Sequence, residues 1–309
     1  MKKLLLTVAA VVALSAQAQQ FEVVECQQLS VGANTEVFHP IFTPDGNSLL
    51  VSSAGYDGLG IIDLKTQKYK KITDMHGAGW LPAISEDSKT VIVRQNDNEM
   101  QGTSLYSINL STLEKTPVLQ KAEHFNDFSF VNGKVSVGLG GKVTTKQVTR
   151  PVSAIQMPNE IFITNEDLKI VVYNNGRRIV LDPLKSEHPN WDTQYCWATL
   201  SPDKTKILFH CANYAYICDL SGKNIVNLGE MNCPQWRGNN HVVGHDEDHD
   251  GYYLTKGEII IVDNKGQNRQ QLSSSSSDIK TFPAVSPDGS KIAYHTEDGK
   301  LFLMTIKEK

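Results

Sequence analysis

Hydrophobic and polar positions alternate along this chain in short runs that are separated by small polar turns. The clearest instance is Val285–His295, where the turn Pro287-Asp288-Gly289 separates two apolar runs. Proline presets φ at the first turn position, aspartate bonds its own backbone, and glycine takes a positive φ. Apolar residues on both sides of such a turn predict a β-hairpin.

The same hairpin pattern recurs at intervals of roughly 33 to 50 residues, which is typical of a repeat array. The seven copies contain, in order, Thr43, Ser85, Ser129, Thr164, Ser201, Trp236 and Ser286. Most copies continue into a third apolar run that ends in an aspartate or asparagine, and then into a short outer run. Four antiparallel strands per copy are the composition of a propeller blade.

These repeats predict an all-β fold, a seven-bladed β-propeller with four-stranded antiparallel blades that occupies residues 19–309 as one domain. Six blades remain the alternative, if the third and fourth copies share a blade. The last copy ends with the third strand Leu301–Thr305 and lacks an outer strand. We expect Phe21–Cys26 to supply that strand and close the ring, because closure removes an exposed edge.

The N-terminus predicts export. Lys2 and Lys3 are followed by the apolar run Leu4–Leu14 and by Ala16-Gln17-Ala18, the order of a secretory signal peptide over residues 1–18. The run is shorter than the about 20 apolar residues that span a bilayer. No later stretch is long and apolar enough to span, so we expect an exported protein, periplasmic or extracellular, with no membrane span.

Charge and cysteine content narrow the possible partners. The formal net charge is -4, and the chain has no basic block, so nucleic acid and anionic membrane surfaces are poor partners. The chain has five cysteines and no Cys-x-x-Cys. Free cysteines buried in strands are the simpler interpretation. If one disulfide forms, we expect Cys196–Cys233, which lie on equivalent strands of neighbouring repeats.

The segment Gly244–Gly251 is the strongest local signal for chemistry, and we expect it in the loop between the second and third strands of the sixth copy. Its alternating carboxylates are Asp246, Asp248 and Asp250. Alternating carboxylates followed by glycine predict a Ca²⁺ site, although the closing acidic ligand is missing. Two alternatives stay open: a solvated acidic tip, or a transition metal bound by His245 and His249.

A second set of residues lies at the entry of each inner strand, four or five positions before the turn. Inner strands line the central channel of a propeller, so these residues are expected to surround one of its mouths. The ligand-binding candidates are His39, Trp80, His124, Trp197 and Phe282. Aromatic and imidazole groups around a concave opening favour a protein, peptide or glycan ligand. The alternative is that they fill the mouth and bind nothing.

The turns Ser286-Pro287-Asp288-Gly289, Thr43-Pro44-Asp45-Gly46 and Ser201-Pro202-Asp203 resemble the Ser-Pro-Asp-Gly hairpins of TolB-like, WD-related propeller repeats of exported bacterial proteins. That family includes partner-binding propellers, propeller domains of dipeptidyl-peptidase-type enzymes, and oligogalacturonate lyases. The resemblance implies a propeller and, most simply, a binding module. We expect no serine peptidase, because no Gly-x-Ser-x-Gly is present and no hydrolase domain follows the last copy.

The resemblance also implies an alternative function, a metal-dependent polysaccharide lyase or hydrolase, because oligogalacturonate lyases use a histidine-bound metal. Such a site would draw on His39, His124, His210, His245 and His295. Three of these, His210, His245 and His295, hold equivalent places on second strands. Second strands are set back from the propeller axis, so we expect these three to diverge.

Overall fold

This computed structural model describes residues 20–309 except 33–34, 97–101, 123–127, 140–141, 150–160, 175–176, 191 and 275–277. The predicted signal peptide and His124 lie outside the described residues. Within those residues, no helix combines the length and apolar character needed to cross a membrane.

The described residues form seven antiparallel sheets arranged in a ring, which confirms the seven-bladed β-propeller. The six-bladed alternative is wrong, because the third and fourth copies form separate sheets. Strand β1 is Phe21–Gln28. Blade 1 contains β2 (Phe38–Phe42), β3 (Ser48–Ser52), β4 (Leu59–Asp63) and β5 (Tyr69–Thr73). Blade 2 contains β6 (Ala83–Ile84), β7 (Thr90–Asn96), β8 (Thr103–Asn109) and β9 (Lys115–Ala122).

Blades 3 and 4 have three strands each among the described residues, where four were predicted. Blade 3 contains β10 (Phe128–Val131), β11 (Lys134–Leu139) and β12 (Lys142–Gln147). Blade 4 contains β13 (Ile161–Glu166), β14 (Lys169–Asn174) and β15 (Arg177–Leu181). A short 3-10 helix, Pro183–Lys185, follows β15.

The remaining blades have four strands each. Blade 5 contains β16 (Tyr195–Leu200), β17 (Lys206–Cys211), β18 (Tyr214–Asp219) and β19 (Val226–Glu230). Blade 6 contains β20 (Asn232–Arg237), β21 (His241–His249), β22 (Leu254–Asp263) and β23 (Gln270–Gln271). Blade 7 contains β24 (Lys280–Val285), β25 (Lys291–Thr296) and β26 (Leu301–Glu308), with β1 as its outer strand.

The N-terminal strand closes the ring as predicted. Strand β1 pairs antiparallel with β26, so that Phe21 lies opposite Glu308. The Phe21 ring is buried, and the Arg237 guanidinium of blade 6 lies 4.6 Å from its centroid. The Phe21 N–H donates to the Gln270 side chain at 3.0 Å. The closing strand therefore joins blade 6 to blade 7 as well as completing the last sheet.

The hydrophobic core lies between the blades. Seven clusters of buried side chains occur, one at each interface between neighbouring blades. At the interface of blades 1 and 2, for example, Leu50 and Ile72 pack in one cluster with Val91 and Val93. A single blade cannot bury both faces, so the ring is the smallest unit that hides this apolar surface.

The turns owe their shape to the residues that predicted them. In blade 7 the Ser286 hydroxyl donates to Asp288 at 2.6 Å and accepts from the Lys291 N–H at 2.8 Å. Gly289 has a φ of 71°, which favours glycine. The same hydroxyl-to-aspartate bond recurs at Thr43, Ser85 and Ser201.

All five cysteines are free in this structure. Cys211, Cys218 and Cys233 are buried, Cys196 is partly buried and Cys26 is exposed. The conditional pairing of Cys196 with Cys233 is therefore not formed, although both do lie on inner strands of neighbouring blades.

Candidate functional site at the channel mouth

One residue at or just before the start of five inner strands has an unusual backbone conformation. The residues concerned are His39, Leu81, Trp197, Cys233 and Phe282, with φ values from 46° to 52°. In blades 1, 5, 6 and 7 the pairing register skips at this point, which is a β-bulge. Positive φ at a residue with a side chain is unfavourable by roughly 1–3 kcal/mol, and such strain concentrates at functional sites.

Prolines follow the strained residue in four blades. They are Pro40, Pro82, Pro234 and Pro283. A proline has no N–H, so it leaves no unpaired donor where the ladder is interrupted. Proline two or three residues before the turn residue of a repeat is therefore a sequence signal for this bulge.

The strained residues surround a cavity of about 310 Å³ at the mouth of the channel. His39, Trp80, Trp197 and Phe282 all line it, so the structure brings together the four predicted ligand-binding residues that it describes. In blade 6 the lining residues are Cys233 and Gln235. Ligand binding by these residues stays a prediction.

Four of the rings around the mouth, those of Trp80, Tyr56, His39 and Phe282, form a continuous chain of contacts. His39 stacks on Tyr56, with ring centroids 3.7 Å apart, and Tyr56 meets Trp80 edge-on at 4.7 Å. On its other side His39 meets Phe282 edge-on at 4.7 Å. Trp197 contacts His210 at 5.0 Å. Edge and stacked contacts of this kind hold the rings in place around the mouth.

Tyr56 was missed by sequence reasoning. It lies in the connection between β3 and β4, has a φ of 62°, and lines the cavity. Its only sequence signal is position, since connections between second and third strands open on the same face as the inner-strand entries. The local sequence around Tyr56 resembles that of an ordinary exposed loop.

The mouth is uncharged at neutral pH. Burial, followed by repulsion from His295, lowers the pKa of His39 to about 3. Burial raises the pKa of Tyr56 to about 12 and that of the Cys196 thiol to about 11, and it raises the pKa of Cys233 as well. No aspartate, glutamate, lysine or arginine lines the cavity among the described residues.

A hydrogen-bond chain determines the tautomer of His39. The Ser52 hydroxyl donates to the Ser53 carbonyl at 3.1 Å, and its oxygen lies 3.0 Å from His39 Nδ1. The hydroxyl has one proton, so His39 must donate through Nδ1. The neutral ring therefore keeps Nε2 as an acceptor.

Two histidines of second strands lie closer to the mouth than expected. His295 stacks on Phe282 at 5.3 Å, and His245 reaches the same ring at 6.0 Å. The expectation that these positions diverge is wrong for this pair, because the bulge moves Phe282 between them. Burial lowers the pKa of His295 to about 4 and also lowers that of His210.

The described histidines do not form a metal site in this structure. No group of three or more His, Cys, Asp or Glu residues that could hold a metal ion is found in the described part of the chain. Each of His210, His245 and His295 has one buried ring nitrogen without a hydrogen-bond partner. A metal-dependent lyase or hydrolase stays a prediction, and His124, which the alternative also uses, lies outside the described residues.

The acidic segment is an extension of a hairpin rather than the predicted loop. Asp246 and Asp248 belong to β21, and Asp248 lies directly opposite Lys256 of β22. The Lys256 ammonium lies 3.5 Å from Asp246 Oδ2, and opposite charges on paired strands stabilise the extended form. Only Asp250 lies in the turn, where it accepts the N–H groups of two residues. Calcium binding by Asp246, Asp248 and Asp250 stays a prediction.

Fold and mouth together define a seven-bladed β-propeller with an aromatic, uncharged cavity at one end of its channel. No family model matches the chain, and no curated protein matches it. Among solved structures it is similar to the crystal structure of TolB from Acinetobacter baumannii, with a TM-score of 0.54 and 18% identity. The match covers 82% of this chain and 58% of TolB. At this identity the likeness shows the propeller fold.

Proposed function

We propose that this protein is an exported binding module that holds an apolar or aromatic group of a protein, peptide or glycan partner in the cavity at the channel mouth. The observation that carries the proposal is an uncharged cavity lined by indole, phenol, imidazole and phenyl rings. Trp80 and Leu81 on its rim are 37% and 45% exposed. Tryptophan and tyrosine are enriched at protein interfaces and among their hot spots.

The test is selection of ligands on the purified protein. A displayed library of random peptides and a glycan array are screened, and the dissociation constants of the enriched ligands are measured by fluorescence polarisation. Trp80→Ala combined with Trp197→Ala should weaken binding by about 30-fold or more, the loss typical of an interface hot spot. The thermal midpoint should remain nearly unchanged.

The matched control is Tyr69→Ala, which removes a ring that is 39% exposed on the outer strand of blade 1. It should bind like the wild type, because the outer strand lies away from the channel. Ligands that bind the tryptophan variant as tightly as the wild type would contradict the proposal. Failure of both screens to yield any ligand that depends on the mouth would contradict it as well.

Export has a test of its own. The proposal predicts that the full chain, expressed in a bacterium, is recovered outside the cytoplasm with its N-terminus near Gln19, after the small-residue site Ala16-Gln17-Ala18. Cell fractionation and N-terminal sequencing measure this. A chain that keeps Met1 and remains in the cytoplasm would contradict the localisation but leave the cavity untouched.

A further inference from the structure

The hairpin formed by β21 and β22 is longer than the equivalent hairpin of blade 5 and extends at the same end of the ring as the cavity. Its ladder runs for nine residues of β21, whereas the equivalent ladder of blade 5 ends after six. Three further residue pairs add about 10 Å of length. His245 pairs with Asn232, next to the cavity residue Cys233, and the hairpin continues past that point. It therefore extends past the level of the inner-strand entries that form the mouth.

The part of the hairpin beyond that level, residues 246–257, is strongly acidic. Four carboxylates lie on it: Asp248 and Asp250 are exposed, and Asp246 and Glu247 are partly buried. Lys256 is the one basic residue in 246–257, so these residues have a net charge of -3 with histidine neutral. Arg269 of blade 6 also interacts electrostatically with Asp246. Glu258 does not add to this surface, because it is buried beside Lys280 at 3.3 Å.

Two tyrosine side chains at the tip are highly exposed to solvent. Tyr252 is 92% and Tyr253 74% exposed, above all the other exposed large apolar side chains described, of which the highest is Val24 at 60%. The tip is ordered, since Asp250 accepts both tyrosine N–H groups at 2.9 Å. A held phenol ring offers contact area at low entropic cost, and tyrosine is enriched at interfaces for that reason.

Polar atoms at the base of the hairpin are buried without partners. Asp246 Oδ2 lies 3.5 Å from Lys256, but Oδ1 is buried and accepts no hydrogen bond. His245 is 2% exposed; its Nε2 contacts Glu247 at 3.0 Å while its Nδ1 has no partner. A buried carboxylate oxygen without a donor is costly, and a cationic donor from a ligand would satisfy it.

We infer that the hairpin recognises the partner: the occupant of the mouth is an extended protein segment that carries lysine or arginine beside an apolar side chain. This inference rests on the proposed function, since the apolar side chain enters the cavity. The basic side chains contact Asp246 and Asp248, and the rings of Tyr252 and Tyr253 lie against their cationic groups. Charge complementarity selects this occupant over a neutral glycan or an acidic segment.

The experiment compares peptides selected from the same displayed library on the wild type and on the hairpin variant Asp246→Asn with Asp248→Asn. Wild-type selection should enrich peptides of net positive charge with an aromatic or aliphatic side chain. One enriched peptide is synthesised, together with a form in which glutamine replaces its basic residues. At low ionic strength the hairpin variant should bind the basic peptide about tenfold more weakly, and the glutamine form should lose as much on the wild type.

The matched control is Glu22→Gln with Glu25→Gln, which removes two exposed carboxylates from β1, away from the mouth. It should bind like the wild type, which separates the hairpin from net charge. A further variant, Tyr252→Ser with Tyr253→Ser, should weaken the basic peptide and leave the thermal midpoint unchanged.

Hairpin variants that bind like the wild type, while the tryptophan variant loses the same peptide, would overturn this inference and leave the proposed function standing. Enrichment of neutral or acidic peptides, or binding by glycans alone, would overturn it too. Binding that requires added Ca²⁺ and is abolished by a chelator would assign the carboxylates to a metal ion and overturn it as well.

Discussion

Acidification should destabilise this propeller through His295, a buried imidazole between blades 7 and 1. The ring is 4% exposed, stacks on Phe282, and lies 5.3 Å from His39. Burial is the main reason that its pKa falls to about 4, and the electrostatic influence of the neighbouring His245 lowers it further. The folded protein therefore keeps this ring neutral at pH values where the unfolded chain, with an ordinary histidine pKa of about 6.5, binds a proton.

The sign and size of the effect follow from proton linkage. Stability is complete above about pH 6.5 and falls as the pH drops toward about 4, since only the unfolded chain gains a proton in that window. At about pH 5 the loss from His295 alone is about 2 kcal/mol, and it approaches about 3 kcal/mol below pH 4. His39, whose pKa is also low, adds to the loss, but its partial exposure to solvent reduces its share.

Urea unfolding at about pH 7.5 and about pH 5, followed by tryptophan fluorescence, measures the loss. His295→Gln keeps a donor for the Thr296 carbonyl, which His295 Nδ1 contacts at 3.0 Å, and removes the titration. The pH-dependent loss in this variant should be about 2 kcal/mol smaller than in the wild type. His249→Gln, on the exposed end of β21, is the control and should not change the loss. A difference below about 0.5 kcal/mol between His295→Gln and the wild type would refute the reasoning.

Two further predictions concern the fold. Deleting Phe21–Gln28 should abolish cooperative unfolding. Loss of the buried Phe21 ring alone costs about 3–5 kcal/mol, out of a typical stability of about 5–15 kcal/mol. A truncated chain with the urea midpoint of the parent protein would contradict closure by β1. Ser286→Ala should lower the free energy of unfolding in urea by about 2 kcal/mol, because the buried hydroxyl makes two hydrogen bonds in its turn. The control Ser290→Ala removes a hydroxyl that makes one bond at the turn surface and should cost clearly less. Equal costs would contradict the role of the Ser286 hydroxyl.

The blade pattern could be predicted because its determinants are local. The bonds from Ser286 to Asp288 and Lys291 span at most five residues, so the sequence of the turn contains everything that fixes it. Closure by β1 could also be predicted, although β1 and β26 are distant in sequence. The last repeat has three strands of its own, and the run Phe21–Cys26 precedes the first repeat and belongs to none. This inference depends on counting strands, and the alternation of apolar and polar residues is sufficient to identify them.

The side-chain arrangement at the mouth could be predicted only in part. The inner-strand residues were identified by position, but their contact with Tyr56 and His295 depends on the bulge, which moves each strained residue by one place relative to its neighbours. The acidic hairpin was misjudged for a different reason. Aspartate and glycine favour turns by local preference. That Lys256 lies opposite Asp248 on the neighbouring strand is known only once the pairing register is known.

The distribution of the core explains why the mouth can be altered without unfolding the ring. The inter-blade clusters consist mainly of aliphatic side chains such as Leu49 and Val243, and neither Trp80 nor Trp197 belongs to any cluster found in the described residues. Stability therefore depends mainly on surfaces that a ligand does not touch. A change in affinity after replacement of these two rings reports on binding, whereas the buried His295 contributes to both the fold and the site, so its variants require a stability measurement first.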